Sequence, residues 1–211
     1  MLRPRFSHAL VLVLAGCGSS SSDDAAVTTD ATTLDASSDV GEVDAGACVL
    51  TPPSATLPMV DGGVIIEGGD AGALPTPSGG DPTGRWLIDD ATLYLPAAAQ
   101  GQVDPSMSWV RGTGWATLEG GAYQLSTDLG FRVESVVGGL TRGVVLGGRG
   151  RYEVRGTELA LTPECTTSPA AAGSLGAFRF SRDAPDRGRL FIEVSGMAGR
   201  LNLVFRLQRA Q

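Results

Sequence analysis

The chain predicts an all-β protein: an antiparallel up-and-down β-barrel of about 8 to 10 strands over residues 84–211, behind an N-terminal region without regular structure. Three observations predict it. From Gly84 onward apolar and polar residues alternate with a period of two, as in strands with one buried face. Glycine pairs such as Gly138-Gly139 and Gly147-Gly148 interrupt the alternation where hairpin turns are needed. No amphipathic stretch is long enough for a helix of more than two turns. A sandwich of two sheets meets the same observations and stands as the alternative.

Taken in order, residues 1–16 read as a secretory signal peptide. Arg3 and Arg5 supply the positive start, and Ala9 to Leu14 an apolar run too short to span a bilayer. Residues 17–47 follow as Ser, Thr, Asp and Ala with scarcely a large apolar side chain. Such a stretch buries too little surface to offset its ordering entropy, so a disordered acidic linker is expected, with a reach of about 30 Å. Asp35, Asp39 and Asp44 lack the spacing and the turn glycine of a calcium loop.

Residues 48–83 are rich in Pro and Gly and read mostly as loop, with Val64 to Glu67 expected to add a short strand to the edge of the domain. Ten strand-like runs follow: Arg85 to Leu95, Met107 to Leu118, Tyr123 to Ser126, Gly130 to Val137, Thr141 to Leu146, Gly150 to Arg155, Glu158 to Leu161, Ala177 to Ser181, Leu190 to Val194 and Arg200 to Gln208. In the last, Leu201, Leu203, Phe205 and Leu207 oppose Asn202, Arg206 and Gln208, so one face is apolar and the other wet.

Charge is divided unevenly. Residues 18–83 carry eleven acids and no Arg, whereas residues 84–211 carry fourteen Arg and twelve acids. The acidity belongs to the tail, and the nearly neutral domain gives no support to nucleic-acid binding. There is no Lys, and His8, the single histidine, lies in the signal peptide. The mature chain therefore lacks the usual general base and zinc ligand, and a non-enzymatic protein without cofactor or metal is expected. Of three cysteines, Cys17 follows the signal. Cys48 and Cys165 remain as an even pair, expected to form a disulfide, with two free thiols as the alternative.

Leu14-Ala15-Gly16-Cys17 resembles the lipobox of bacterial lipoproteins. The resemblance implies that Cys17 becomes the mature N-terminus, carries acyl chains including palmitate, and anchors the protein to a membrane. Gly18, where Asp often marks inner-membrane retention, implies the outer membrane. Gly84-Arg85-Trp86 resembles the Gly-x-Trp that opens lipocalin barrels, and the run Gly150-Arg151-Tyr152-Glu153-Val154-Arg155-Gly156-Thr157-Glu158-Leu159-Ala160-Leu161-Thr162 resembles a hairpin of bacterial lipocalin-like domains. In lipocalins a late arginine stacks on that tryptophan. By strand parity Arg209 is the candidate to lie over Trp86, with Gly84, Trp86 and Arg209 as structural residues.

The chemistry-bearing clusters have plain readings. Gly147-Gly148-Arg149-Gly150 precedes no helix and reads as a hairpin turn, not a phosphate loop. Asp89 and Asp90 are adjacent in a strand and point to opposite faces unless a bulge intervenes. Arg151 and Arg155 share a face with Glu153, as in a solvated charge ladder. Trp86, Trp109 and Trp115 are the expected walls of a ligand site if the barrel is open.

Two functions are therefore expected from different classes. One is a membrane-anchored barrel binding a small apolar ligand. The other is a structural or interaction lipoprotein whose filled barrel docks on another envelope component. The interior discriminates them.

Overall fold

A computed structural model describes residues 48–54, 56–69, 72–167, 177–196 and 199–211. The expected signal peptide, Cys17, the expected linker and its Asp35, Asp39 and Asp44 lie outside the described residues. Among those described the protein is all-β apart from one 3-10 turn, and no helix is long and apolar enough to cross a membrane.

Eight strands form the main sheet: β3 (Gly84–Leu95), β4 (Val103–Glu119), β5 (Ala122–Ser135), β6 (Gly138–Arg155), β7 (Glu158–Thr166), β8 (Ala177–Ala184), β9 (Arg187–Gly196) and β10 (Gly199–Arg209). Each pairs antiparallel with the next, and β10 and β4 both pair with β3, so the sheet closes in a ring. Two short strands precede them, β1 (Val60–Gly62) and β2 (Val64–Ile66).

The ring closes unevenly, which explains the work of residues 60–66. β3 meets β4 only from Gly84 to Leu87. Beyond that the two strands part, β1 pairs with β4 through Gly112, Arg111 and Val110, and β2 pairs in parallel with β3 through Leu93, Tyr94 and Leu95. Val60, Val64 and Ile66 are buried in the main core, so residues 60–66 form a wedge in the seam within a segment whose other described residues are mostly loop, as expected. Val64–Ile66 supplies the short strand that the apolar run announces. Further along, Leu74 packs with Tyr94, Phe191 and Val204 on the outer face. Outward-pointing Phe191 is buried for this reason, although parity assigns it to solvent.

Two expected turns are not turns. Tyr123 to Ser126 and Gly130 to Ser135 are one strand, β5, and Thr141 to Leu146 and Gly150 to Arg155 are one strand, β6, which Gly138-Gly139 opens because the turn falls at Val136-Val137. Gly147-Gly148-Arg149-Gly150 therefore lies inside β6, at a register shift against β7. Its glycines answer crowding: a Cβ on Gly150 would sit 2.1 Å from the Thr162 carbonyl oxygen. Glycine within a strand often marks such a bulge and close backbone approach.

A second bulge settles the adjacent acids. Arg206 pairs with Asp90 and Leu207 with Ile88, leaving Asp89 as the extra residue. Parity shifts there, so Trp86 and Ile88 before it and Ala91 and Leu93 after it are all buried. Neither acid enters the core. Asp89 and Asp90 instead share Arg206, at 3.0 and 3.1 Å.

Cys48 and Cys165 are bonded, with Cα atoms 5.4 Å apart. Cys165 pairs in register with Arg149, and the disulfide fixes the start of the described chain beside β7. The Thr51 N–H then donates to Gln124 on β5, and the chain enters the seam at Val60.

Candidate functional site

The inner face of the ring carries the core. Ile88, Leu93, Leu125, Leu129, Phe180 and Phe205 belong to one buried cluster drawn from four strands. A void bordered by Ala116, Leu118, Leu125, Leu159, Phe178 and Leu190 measures about 10 Å³. That is the room of about one water molecule, against hundreds of Å³ for a small-molecule pocket.

Tyr123 also borders this void, and its buried hydroxyl has no hydrogen-bond partner. Burial, with the Glu164 carboxylate adding to it, pushes the phenol up to about 12. Below pH ~10 the phenol is protonated in both the folded and unfolded chain. Above that the unfolded chain releases the proton first, so stability falls as pH rises towards the folded value. Tyr123→Phe removes both penalties. Thermal unfolding should show a gain of about 1 kcal/mol at neutral pH and a larger gain at pH ~11; a loss at both pH values would contradict the orphaned hydroxyl.

The three tryptophans do not meet. Trp86 points inward and is fully buried, whereas Trp109 and Trp115 lie on the other face of β4 from Val110 and Ala116. Trp109 is half-buried, with the Arg111 guanidinium 5.3 Å from its ring centroid. Trp115 is buried, opposite Leu87 and Ser126 in the register. They form no common wall.

Trp86 instead closes one end of the ring. Its indole N–H donates to the Pro82 carbonyl at 2.8 Å, and Phe180 lies tilted against it, with ring centroids 6.2 Å apart. Gly84 has φ +149, and a Cβ there would press on the indole at 3.3 Å, so the Gly-x-Trp spacing has a steric cause. The cation over the ring is Arg182, 4.8 Å from its centroid, and not Arg209. Arg182 follows the inward row Phe178 and Phe180 by parity and is held by the carbonyls of Ala184, Asp81 and Pro185. Arg209 pairs with Trp86 in backbone register, but its side chain is exposed and donates to the Pro185 carbonyl at 3.4 Å. The inner row of β10 is spent at Leu207, and Arg182 already occupies the ring face.

This end is charged throughout. Glu119 pairs with Arg85, and Asp183 with Arg189, around the turns that join β4 to β5 and β8 to β9. Arg155 pairs with Glu153 and Arg151 with Glu164, the expected solvated ladder. An open recess of about 230 Å³ outside the ring runs among Glu119, Arg149 and Glu164, with both acids already paired. Among the described residues no three His, Cys, Asp or Glu side chains come together as a metal site.

The opposite end differs in kind. The two connections described there, residues 96–102 and 136–137, contain no Asp, Glu, Lys, Arg or His, and the Val136 N–H donates to the Gln102 carbonyl at 3.0 Å. The β5–β6 hairpin turns at this end. Its strands pair from Ser135–Gly138 downward, and the two-residue turn between them is Val136-Val137. Two-residue hairpin turns favour Asn and Gly, and the neighbouring Gly138-Gly139 would serve, yet β-branched residues occupy the turn. They are 79% and 86% exposed, and Met107 and Leu140 add 63% and 38%. Exposed apolar side chains that break a local rule at a turn make this hairpin a candidate for a working surface.

Sequence reading by strand periodicity misses this end, because no single connection is unusual. The signal lies in reading alternate connections together once the up-and-down order is assumed. No known family model, curated protein or solved structure matches the chain.

Proposed function

We propose that the protein is a bacterial envelope lipoprotein, anchored through Cys17 in the outer membrane, whose lipocalin-like barrel is filled by its own side chains and works through its uncharged end as an interaction module. The observation that carries this reading is the pairing of a continuous buried core, whose void beside Leu125 and Phe178 measures about 10 Å³, with an exposed Val136-Val137 turn. A carrier needs the reverse: a roomy interior and no reason to expose valines.

The lipocalin-like description has its support in the closed antiparallel order of β3 to β10 and in the Trp86 end, where an arginine covers the tryptophan from β8 rather than from the last strand. The lipid anchor is supported by the Leu14-Ala15-Gly16-Cys17 motif alone. Ligand content of the purified full chain tests the functional reading. Protein with its covalent acyl chains and nothing else is the expected composition.

A further inference from the structure

Two neighbouring rows on the outer face of the ring enclose a recess that the core does not explain. Thr117, Gln124 and Arg149 lie in one register row across β4, β5 and β6, and Glu119, Ala122 and Arg151 form the other. Leu118 and Tyr123, between the rows, point into the core, so both rows face outward. The middle of the second row is only the Ala122 methyl group. Beside it Gly150 carries no side chain, since a Cβ there would meet the Thr162 carbonyl oxygen. The register shift at Arg149 and Gly150 makes Glu164 the extra residue of β7. These positions leave the recess of about 230 Å³, bordered by Thr117, Glu119, Gln124, Arg149 and Glu164.

The polar groups still free in this recess are donors. Glu119 accepts from Arg85 at 3.0 Å, and Glu164 faces Arg151 at 3.7 Å. Among the described residues Arg149 has no carboxylate partner. Gln124 accepts the Thr51 N–H on its side-chain oxygen at 3.1 Å, which leaves its NH₂ group as the free end. Three arginines stand against two glutamates, so one positive charge is left over. A carboxylate meets both conditions, because its two oxygens match the guanidinium fork and its charge is single. A dianion meets the same fork, but Glu119 and Glu164 beside it add like-charge repulsion. We propose that this recess binds a small organic monocarboxylate, with its oxygens on Arg149 and Gln124 and its body over Ala122.

The site depends on neither the lipid anchor nor the filled interior. Arg149 and Glu164 are exposed, and salt screens their charges. The ligand is therefore held weakly and leaves on dilution, so purified protein carries none.

The test is a nuclear magnetic resonance titration of the isotope-labelled full chain in a neutral detergent. It is run at low salt and mildly acidic pH, where carboxylates remain ionised. Benzoate is the probe, benzamide its neutral isostere and sulfate a dianion for comparison. Benzoate should move the Arg149 Nε–H and Gln124 NH₂ signals to a plateau, with a midpoint about tenfold below that of benzamide. Arg149→Gln should raise the benzoate midpoint by about tenfold, and Arg149→Lys, which keeps the charge and loses the fork, by about threefold. Both substitutions are at an exposed position and leave the fold intact. Shifts that never saturate refute the site, as does benzamide binding as well as benzoate or an unchanged midpoint in Arg149→Gln. Sulfate binding more tightly than benzoate overturns the assignment to a monocarboxylate.

Discussion

Trp86→Ala is expected to lower the unfolding free energy by about 3–5 kcal/mol, the range for emptying a fully buried aromatic site. Trp86 has 0% exposure and touches three things at once. Its N–H satisfies the buried Pro82 carbonyl, its face takes the Arg182 cation, and its edge meets Phe180. Removing the ring leaves a cavity, an unpaired carbonyl and a guanidinium without its platform. For a domain with ~5–15 kcal/mol of total stability, that brings unfolding within reach of physiological temperature. Trp86→Phe separates the contributions. It keeps most of the volume and deletes the hydrogen bond, so it should cost less, about 1–3 kcal/mol. Equilibrium urea unfolding of both variants gives the order, and equal costs would show that the hydrogen bond, not the volume, dominates this end.

Breaking the Cys48–Cys165 bond by Cys48→Ser with Cys165→Ser should cost about 2–5 kcal/mol. The bond joins residues separated by 117 positions, and closing a loop of that length restricts the unfolded chain more than the folded one. A second signature follows from where the bond lies. It holds the chain that leads through Thr51 into β1, and β1 fills the seam between β3 and β4. The double variant should therefore expose the amides of Val60 to Ile66 to hydrogen exchange ahead of the rest of the ring, as expected when a local unit opens first. It should also unfold with a steeper denaturant dependence, because the freed unfolded chain is more expanded. An unchanged midpoint would mean that the seam is held by its own packing and the bond adds nothing.

Strand alternation made much of the ring readable. β3 and β10 follow the expected runs closely, because each sends one row into the main core. Legibility failed wherever a glycine was read as a turn. Gly147 to Gly150 look like punctuation, yet they are spaces left for Thr167 and the β7 backbone, and that crowding exists only once β6 and β7 are paired. The wedge was hidden for a similar reason. Val60 stands alone among loop residues, and its burial depends on a gap between β3 and β4 that no local pattern reports. At the Trp86 end parity pointed to Arg209, because it took no account of which inner row already covers the ring. Arg182 lies on a strand whose short apolar pattern, Phe178 and Phe180, runs straight into it. The uncharged end was legible in principle. It needed the topology first, since connections that lie far apart in the chain acquire meaning only when they converge.

The proposed function requires that the interior is filled and that the work is done at the uncharged end. Native mass spectrometry of the acylated full chain, purified in mild detergent from its own membranes and then denatured to release anything held, tests it most directly. The predicted spectrum contains the protein with its covalent acyl chains and no stoichiometric small molecule. A discrete apolar compound released in a one-to-one ratio would overturn the filled barrel and return the interior of the ring to the centre of its function.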